Sequence, residues 1–517
     1  MKLILSMIPI VSLTIACGGN QRRASLPKSE AKADKKEAGP VNFRKSQPKP
    51  GAPRDFQLPS IQVFDVAPGV KGYLVEKHTL PTVSVELSFS GGAMNDPSGK
   101  EGLAEICMDL QSEGTKKLDK KALSSALANI ASGVYSSAND ETQSVGMFTL
   151  SRNFDATFQI FSDVLTKPGF RKKDLNRLVK QSVEAIRQAK ASPAPVAGRL
   201  AGRIYYGAKH PFGKVATEKS LAKIKLKDCV AYHKAFIRPG GAKLFVVGDM
   251  TQQSVKEKFQ PLFERWKGSP KKSISLPPPN GQKGKVFFVD IPGAAQSAVY
   301  LVHEGPKRGD KNYFANTLMT QILGGGFASR LNMNLREDKG YSYGARGGFS
   351  YNRSFGTLYA YSSVRADATG QSLLEIFREM EELKKGTSPP TKDELSREKN
   401  GAILSLPASF ATARSTLGMY QNLLYFGLPL SYYDSYVERV SNVDMKDVNR
   451  SAKQLLFPSK AKILIVGDGA SAQKTRDGEK DVPTLKNGKP VSLREMLKSF
   501  AEQGTFGAGD FVELQPL

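Results

Sequence analysis

One apolar run occurs twice in this chain, and the repetition constrains the fold more than any other feature. Lys243-Leu244-Phe245-Val246-Val247-Gly248-Asp249 returns as Lys462-Ile463-Leu464-Ile465-Val466-Gly467-Asp468. Asp155-Ala156-Thr157 returns as Asp367-Ala368-Thr369, each opening an amphipathic helical stretch. Val83-Ser84-Val85-Glu86-Leu87 pairs with Ser297-Ala298-Val299-Tyr300-Leu301. The matches keep one order at offsets of about 210 to 220 residues, so one supersecondary plan is used twice. Each half reads strand, helix, strands, long helices and a final apolar strand. That pattern predicts an α+β fold of two homologous halves, each a largely antiparallel sheet packed with helices.

The boundaries follow from composition. Residues 56–268 form the N-terminal half and residues 285–470 the C-terminal half, joined by a stiff, Pro-rich polar linker at 269–284. Residues 471–517 read as a polar tail with one helix, Ser492 to Gln503, as a candidate docking segment. Residues 18–55 are Lys-, Pro-, Ala- and Ser-rich without apolar periodicity, a flexible basic tether. Residues 1–17 carry Lys2, an apolar stretch to Ala16 and then Cys17, too short and interrupted for a transmembrane helix. They resemble a bacterial lipoprotein signal, although Thr14 stands where Leu or a similar residue is usual. The resemblance implies lipidation at Cys17 and a lipid-anchored place in the cell envelope. Gly18 after the lipidated Cys17 leans toward the outer membrane, facing the periplasm.

A net charge of +26 admits nucleic acid, anionic membrane or acidic peptide partners. No zinc-finger spacing, RNP-like aromatic motif or basic heptad is present, so nucleic acid is not expected. Besides Cys17, only Cys107 and Cys229 remain. One disulfide is permitted, but Cys107 falls among core-facing helix positions, so a free buried thiol is the expectation.

The run Gly102-Leu103-Ala104-Glu105-Ile106-Cys107-Met108-Asp109-Leu110-Gln111-Ser112-Glu113-Gly114-Thr115 resembles the zinc-binding segment of the pitrilysin/insulinase peptidases, the inverzincins. On that resemblance Glu105 and Asp109 replace the two His ligands and Met108 replaces the catalytic Glu. Glu184 stands at the spacing of the third ligand, and Arg177 replaces an acidic residue one helical period earlier. Glu105, Met108 and Asp109 share a helix face, opposite an apolar stripe of Leu103, Ile106, Cys107 and Leu110. Three carboxylates can in principle hold a hard cation such as Ca²⁺ or Mg²⁺, but Met108 cannot accept a proton. The expectation is a face with ordinary salt bridges and no bound metal. His78, His210, His233 and His303 lack ligand spacing, and no Gly-x-Ser-x-Gly elbow offers another hydrolase.

The second half keeps a longer match. Gly324-Gly325-Gly326-Phe327-Ala328-Ser329-Arg330-Leu331 through Tyr343 resembles the family's C-terminal segment, which sets an Arg and a Tyr seven residues apart against substrate and the opposing zinc site. Arg336 and Tyr343 match, and a guanidinium and a phenol suit stabilisation of a developing oxyanion. The alternative is local: Arg336 paired to a nearby acid and Tyr343 filling a strand core. The resemblance implies two halves forming a clamshell around a peptide cleft, with Val134 to Thr142 as a wall strand. It further implies a non-catalytic partner subunit for a zinc-motif-bearing peptidase chain, with zinc in that partner and extended peptides in the cleft. A peptide- or protein-binding scaffold lipoprotein is the alternative, and an active metallopeptidase with a carboxylate metal site is the least favoured.

Overall fold

Strict alternation of buried and open side chains along Thr82–Ser90 marks a strand with two unlike faces. The computed structural model describes residues 56–478 and 480–517; Cys17 and the segments 1–17 and 18–55 lie outside the described residues. The first half runs β1 (Gln62–Ala67), β2 (Val70–Glu76), β3 (Thr82–Ser90), α1 (Leu103–Gln111), α2 (Lys120–Asn129), β4 (Gly133–Ala138) and β5 (Thr142–Leu150). It continues through α3 (Phe154–Thr166), α4 (Lys172–Ala189), α5 (Pro193–Tyr206), α6 (Glu218–Ala222), α7 (Leu226–Phe236), β6 (Lys243–Gly248) and α8 (Gln252–Arg265). The second half runs β7 (Val286–Asp290), β8 (Gln296–Gly305), α9 (Tyr313–Thr320), α10 (Arg330–Asn332), β9 (Ser342–Tyr351), β10 (Gly356–Arg365) and α11 (Thr369–Lys385). Then come α12 (Lys392–Ser409), α13 (Ala413–Phe426), α14 (Tyr436–Ser441), α15 (Met445–Leu455) and β11 (Lys462–Gly467). Two small hairpins follow, β12 (Lys474–Asp477) with β13 (Lys480–Pro483) and β14 (Leu485–Lys486) with β15 (Lys489–Pro490), before α16 (Leu493–Glu502) and β16 (Phe511–Leu514).

The duplication is visible in the strand orders, β1-β2-β6-β3-β5-β4 and β16-β7-β11-β8-β10-β9. The repeated apolar runs, β6 and β11, take the same slot: each lies parallel to one neighbour and antiparallel to the other. All other pairs are antiparallel except β16 on β7. The repeated Asp-Ala-Thr also has one job. Thr157 and Thr369 are fully buried at the start of α3 and α11, and each bonds the carbonyl four residues back. The segment after Asp468 supplies α16, capped by Ser492 and Glu495, and the strand β16 that covers β7 where β1 covers β2.

The halves are joined by exchanged helices. On α5, Val196, Ala197, Leu200 and Ile204 are buried against Phe287, Val289, Ala298, Leu464 and Val466 of the second sheet. On α13, Leu417, Tyr420 and Leu423 join a core with Tyr73, Val75, Phe245 and Val247 of the first sheet. Each buried aliphatic side chain contributes roughly 1.5–3 kcal/mol. The 269–284 linker runs beside the end of α5, with Asn280 N–H donating to the Tyr206 carbonyl (3.1 Å) and Gln282 N–H to Ile204 (3.0 Å).

The expectation of a free thiol at Cys107 is overturned. α1 and α7 pack side by side, bringing Cys107 and Cys229 to a Cα separation of 4.9 Å and joining them in a disulfide across 122 residues. Both cysteines are core positions, so burial marked the site correctly but did not reveal its partner. Closing a loop of that length stabilises by about 5 kcal/mol in the chain-entropy treatment. The double variant Cys107→Ala/Cys229→Ala is expected to lose about 2–5 kcal/mol in denaturant unfolding. An unchanged midpoint would show that the bridge adds no stability.

Candidate functional site

The helix carrying the altered motif is held at its start by one buried carboxylate. Asp96, 3% exposed, accepts from Gly102 N–H (2.8 Å) and Ala104 N–H (2.9 Å). Gly102 adopts φ 94, which a side chain would strain, and a Cβ there would meet Leu221. Burial raises the Asp96 pKa to about 7, while hydrogen bonds from Ala104, Gly102 and Leu103 pull it down.

Along α1 the motif positions separate. Met108, at the place of the catalytic base, is 1% exposed and packs in the first-half core. Glu105 is exposed and Asp109 is half-buried. Glu184 on α4 pairs with Arg187 at 2.7 Å. Arg177 pairs with Glu113, which also takes Lys120 at 2.7 Å. Thus salt bridges do occupy this surface, with Arg177 directed to Glu113 rather than to the motif carboxylates. Glu113 lies outside the motif proper; its i+4 spacing from Asp109 is the signal that finds it.

Asp109 differs from its neighbours. Burial, then repulsion from Glu105 and Glu113, raises its pKa to about 6. Among the described residues, no three His, Cys, Asp or Glu side chains converge in a metal-ligand arrangement. The donor set also does not suit zinc: a thioether faces the core where the base belongs, and no imidazole is present. The four histidines are committed locally: His78 to Asp249 and Glu76, His210 to Pro277 and Phe212, His233 to Leu165, His303 to Glu304 and Phe457.

The Arg336/Tyr343 segment is firmly built. π-helical turns at Gln321–Gly325 and Met333–Asp338 flank α10. Arg330 forks onto Glu394 (2.8 and 2.9 Å). Asn332 donates to the Phe327 carbonyl (2.7 Å) and accepts from Ala345 N–H (3.1 Å), tying the turn to β9. Gly324 sits so close to Gly347 that a Cβ would lie 2.4 Å from its nitrogen, so glycine is needed here for approach rather than for φ. On this frame Arg336 pairs with Glu337 (3.1 Å), donates to the Tyr343 carbonyl (3.2 Å) and lies 4.8 Å from the centre of the Phe327 ring. The Tyr343 side chain does not fill a strand core; it is 87% exposed at the start of β9. Phe327 and Met333 are exposed in the same segment, a property that their place in the matching run does not reveal.

The structure does not bring the two residue sets together within this chain: no hydrogen bond or ion pair among the described residues links Arg336 or Tyr343 to Glu105, Asp109 or Glu184. Between the halves lies a polar cavity of about 540 Å³, lined by neither set. There Tyr425 donates to Glu141, and Gln421 donates to Glu86 at 2.7 Å, fastening α13 to β3.

Two α+β halves with equivalent strand orders define a class of fold, and similarity to known proteins gives it a family. Residues 73–205 match the insulinase family, peptidase family M16, and residues 223–402 match the peptidase M16 inactive domain. The chain belongs to peptidase family M16, as a member in which the zinc-motif residues are replaced. It is 25% identical over 72% of its length to a non-peptidase homolog, YmxG, of Helicobacter pylori, covering 86% of that protein. It is 22% identical over 78% of its length to an uncharacterized zinc protease, YmxG, of Bacillus subtilis, covering 97%. A peptidase M16 inactive domain from Pseudomonas fluorescens has the same fold, with TM-score 0.73 and 24% identity over 80% of this chain and 98% of that one.

The raised pKa of Asp109 has a defined pH consequence. Its folded value lies above the unfolded one, so the folded state holds a proton that the unfolded chain releases between about pH 4 and 6. The resulting stability is complete below that window and lost as pH rises through it. Asp109→Asn is therefore expected to flatten the fall in stability between pH 4 and 6, read as denaturant midpoints. An identical profile in the variant would place the titration elsewhere.

Proposed function

We propose that this chain is the non-catalytic partner subunit of a two-subunit zinc peptidase of the cell envelope. The observation that carries this reading is an asymmetry. The base position is filled by the buried Met108, whereas the segment presenting Tyr343 is braced by Arg330, Asn332 and Gly324 yet leaves that phenol open. A braced, exposed phenol beside a guanidinium suits contact with a substrate carbonyl in a site completed by another chain. Zinc belongs to the partner in this reading, and this chain uses no cofactor. β4 and β9 are the edge strands of the two sheets, suited to adding an extended peptide. The Cys107–Cys229 disulfide fits an oxidising compartment, in keeping with export and a lipid anchor at Cys17. The exposed Phe327 and Met333 favour, as a second reading, a scaffold that binds proteins or peptides without any peptidase role.

The test separates the readings. The purified chain is expected to carry no stoichiometric zinc and to cleave nothing, and to raise turnover when mixed with a zinc-motif M16 chain from the same envelope. Arg336→Ala is expected to lower that turnover by about tenfold or more, and Tyr343→Phe several-fold, without dissociating the pair. Full turnover in both variants removes the assigned role; a pair that never forms leaves the scaffold reading.

A further inference from the structure

A buried cation in the second half has no anion. Arg308 is 8% exposed, and no carboxylate among the described residues lies within salt-bridge distance of it. Its guanidinium carbon sits 3.5 Å from the centre of the Tyr313 ring and 5.0 Å from that of Tyr432. Among the described residues, its one side-chain hydrogen bond runs from Nη2 to the Tyr432 hydroxyl at 3.2 Å. Stacking satisfies the face of a guanidinium but not its edge, which carries five N–H donors. Burying such an edge is costly unless an acceptor meets it.

The surroundings supply room and a second orphan. Arg308 lines a cavity of about 530 Å³ with Tyr313, Tyr351, Phe426 and Tyr432, within the size range of small-molecule sites. The Tyr351 hydroxyl is buried there and makes no hydrogen bond. Asp310, the nearest acid in sequence, is already engaged by Asn312 N–H (2.8 Å) and the Asn316 amide (3.2 Å). An adjoining cavity of about 470 Å³ adds Lys307 and Arg353, and Arg439 stacks on Phe314 and Tyr432 nearby. Asp310 also lines the adjoining cavity, so cations outnumber acids there, and the rest of the Arg308 cavity wall mixes aromatic and aliphatic side chains with Ser350, Ser405, Ser409 and Asn422.

We propose that this cavity binds a carboxylate carried on an apolar body, with the Arg308 guanidinium edge and the Tyr351 hydroxyl holding the carboxylate and the Tyr313–Phe426 wall taking the apolar group. A free carboxylic acid and the C-terminus of a peptide share this chemistry. The site is independent of the partner role proposed above, because neither Arg336 nor Tyr343 lines it.

Calorimetric titration of the full chain with three probes tests this: N-acetyl-L-phenylalanine, its amide, and a tetrapeptide ending in a free phenylalanine carboxylate. The acid is expected to bind roughly tenfold or more tightly than the amide. Binding of the tetrapeptide as well assigns the site to peptide termini, and exclusion of the tetrapeptide assigns it to free acids. Arg308→Gln is expected to abolish binding. Tyr351→Phe removes only an unpaired hydroxyl, so it is expected to keep the parent's melting temperature while weakening the acid by roughly 3–10-fold. Equal binding of acid and amide, unchanged affinity in Tyr351→Phe, or no saturable binding up to about 10 mM overturns the proposal.

Discussion

The reciprocal exchange of α5 and α13 is the constraint on which the molecule rests. A sheet has two faces, and in each half a helix from the other half packs on one of them. The first half sends α5 across the second sheet, where Val196, Leu200 and Ile204 meet Phe287 and Leu464; the second returns α13 to the first. Neither half therefore has a complete core alone. Polar ties keep the register of this exchange, with Gln421 on Glu86 and Tyr425 on Glu141. A polar cavity of about 540 Å³ remains between the halves.

Within that frame the helix α1 is held by contacts of its own. α1 is fixed by Asp96 at its start, by the disulfide to α7 at its middle and by the Glu113–Arg177 pair beyond its end. These restraints do not involve zinc. Met108 is turned into the core and contributes packing there. Only Asp109 keeps an unusual electrostatic setting, a half-buried acid among acids.

The parts of this architecture that depend on local pattern were legible in the sequence. The repeated Lys–Asp runs read as equivalent strands, and β6 and β11 hold equivalent slots. Ser492 followed by Glu495 is a capping box, a signal complete within four residues. The pairing of Cys107 with Cys229 was not legible, because it depends on how α1 meets α7 across 122 residues. The same holds for the exchange of α5 and α13, whose apolar stripes show that they are covered but not by which sheet. At the candidate site, the spacing of Arg336 and Tyr343 could be read from the chain. That Tyr343 stands free while Arg336 lies against Phe327 could not, since it is settled by the turns packed on β9. Arg308 carries no motif at all; its interest comes entirely from the rings around it.

The strand β16 has a consequence for the order in which the molecule can be completed. It lies against β7, more than two hundred residues earlier in the chain, and its Val512 and Leu514, with Leu517 just beyond, pack against the small core beneath α5. During synthesis, β7 emerges long before the strand that will cover it, and its outer backbone groups wait unpaired. That outer edge of the second sheet is thus open to wrong partners until the chain is nearly complete, whereas the corresponding outer edge of the first sheet is covered early, because β1 precedes β2 and pairs with it at once. Protection of that edge until then falls to whatever attends the nascent chain.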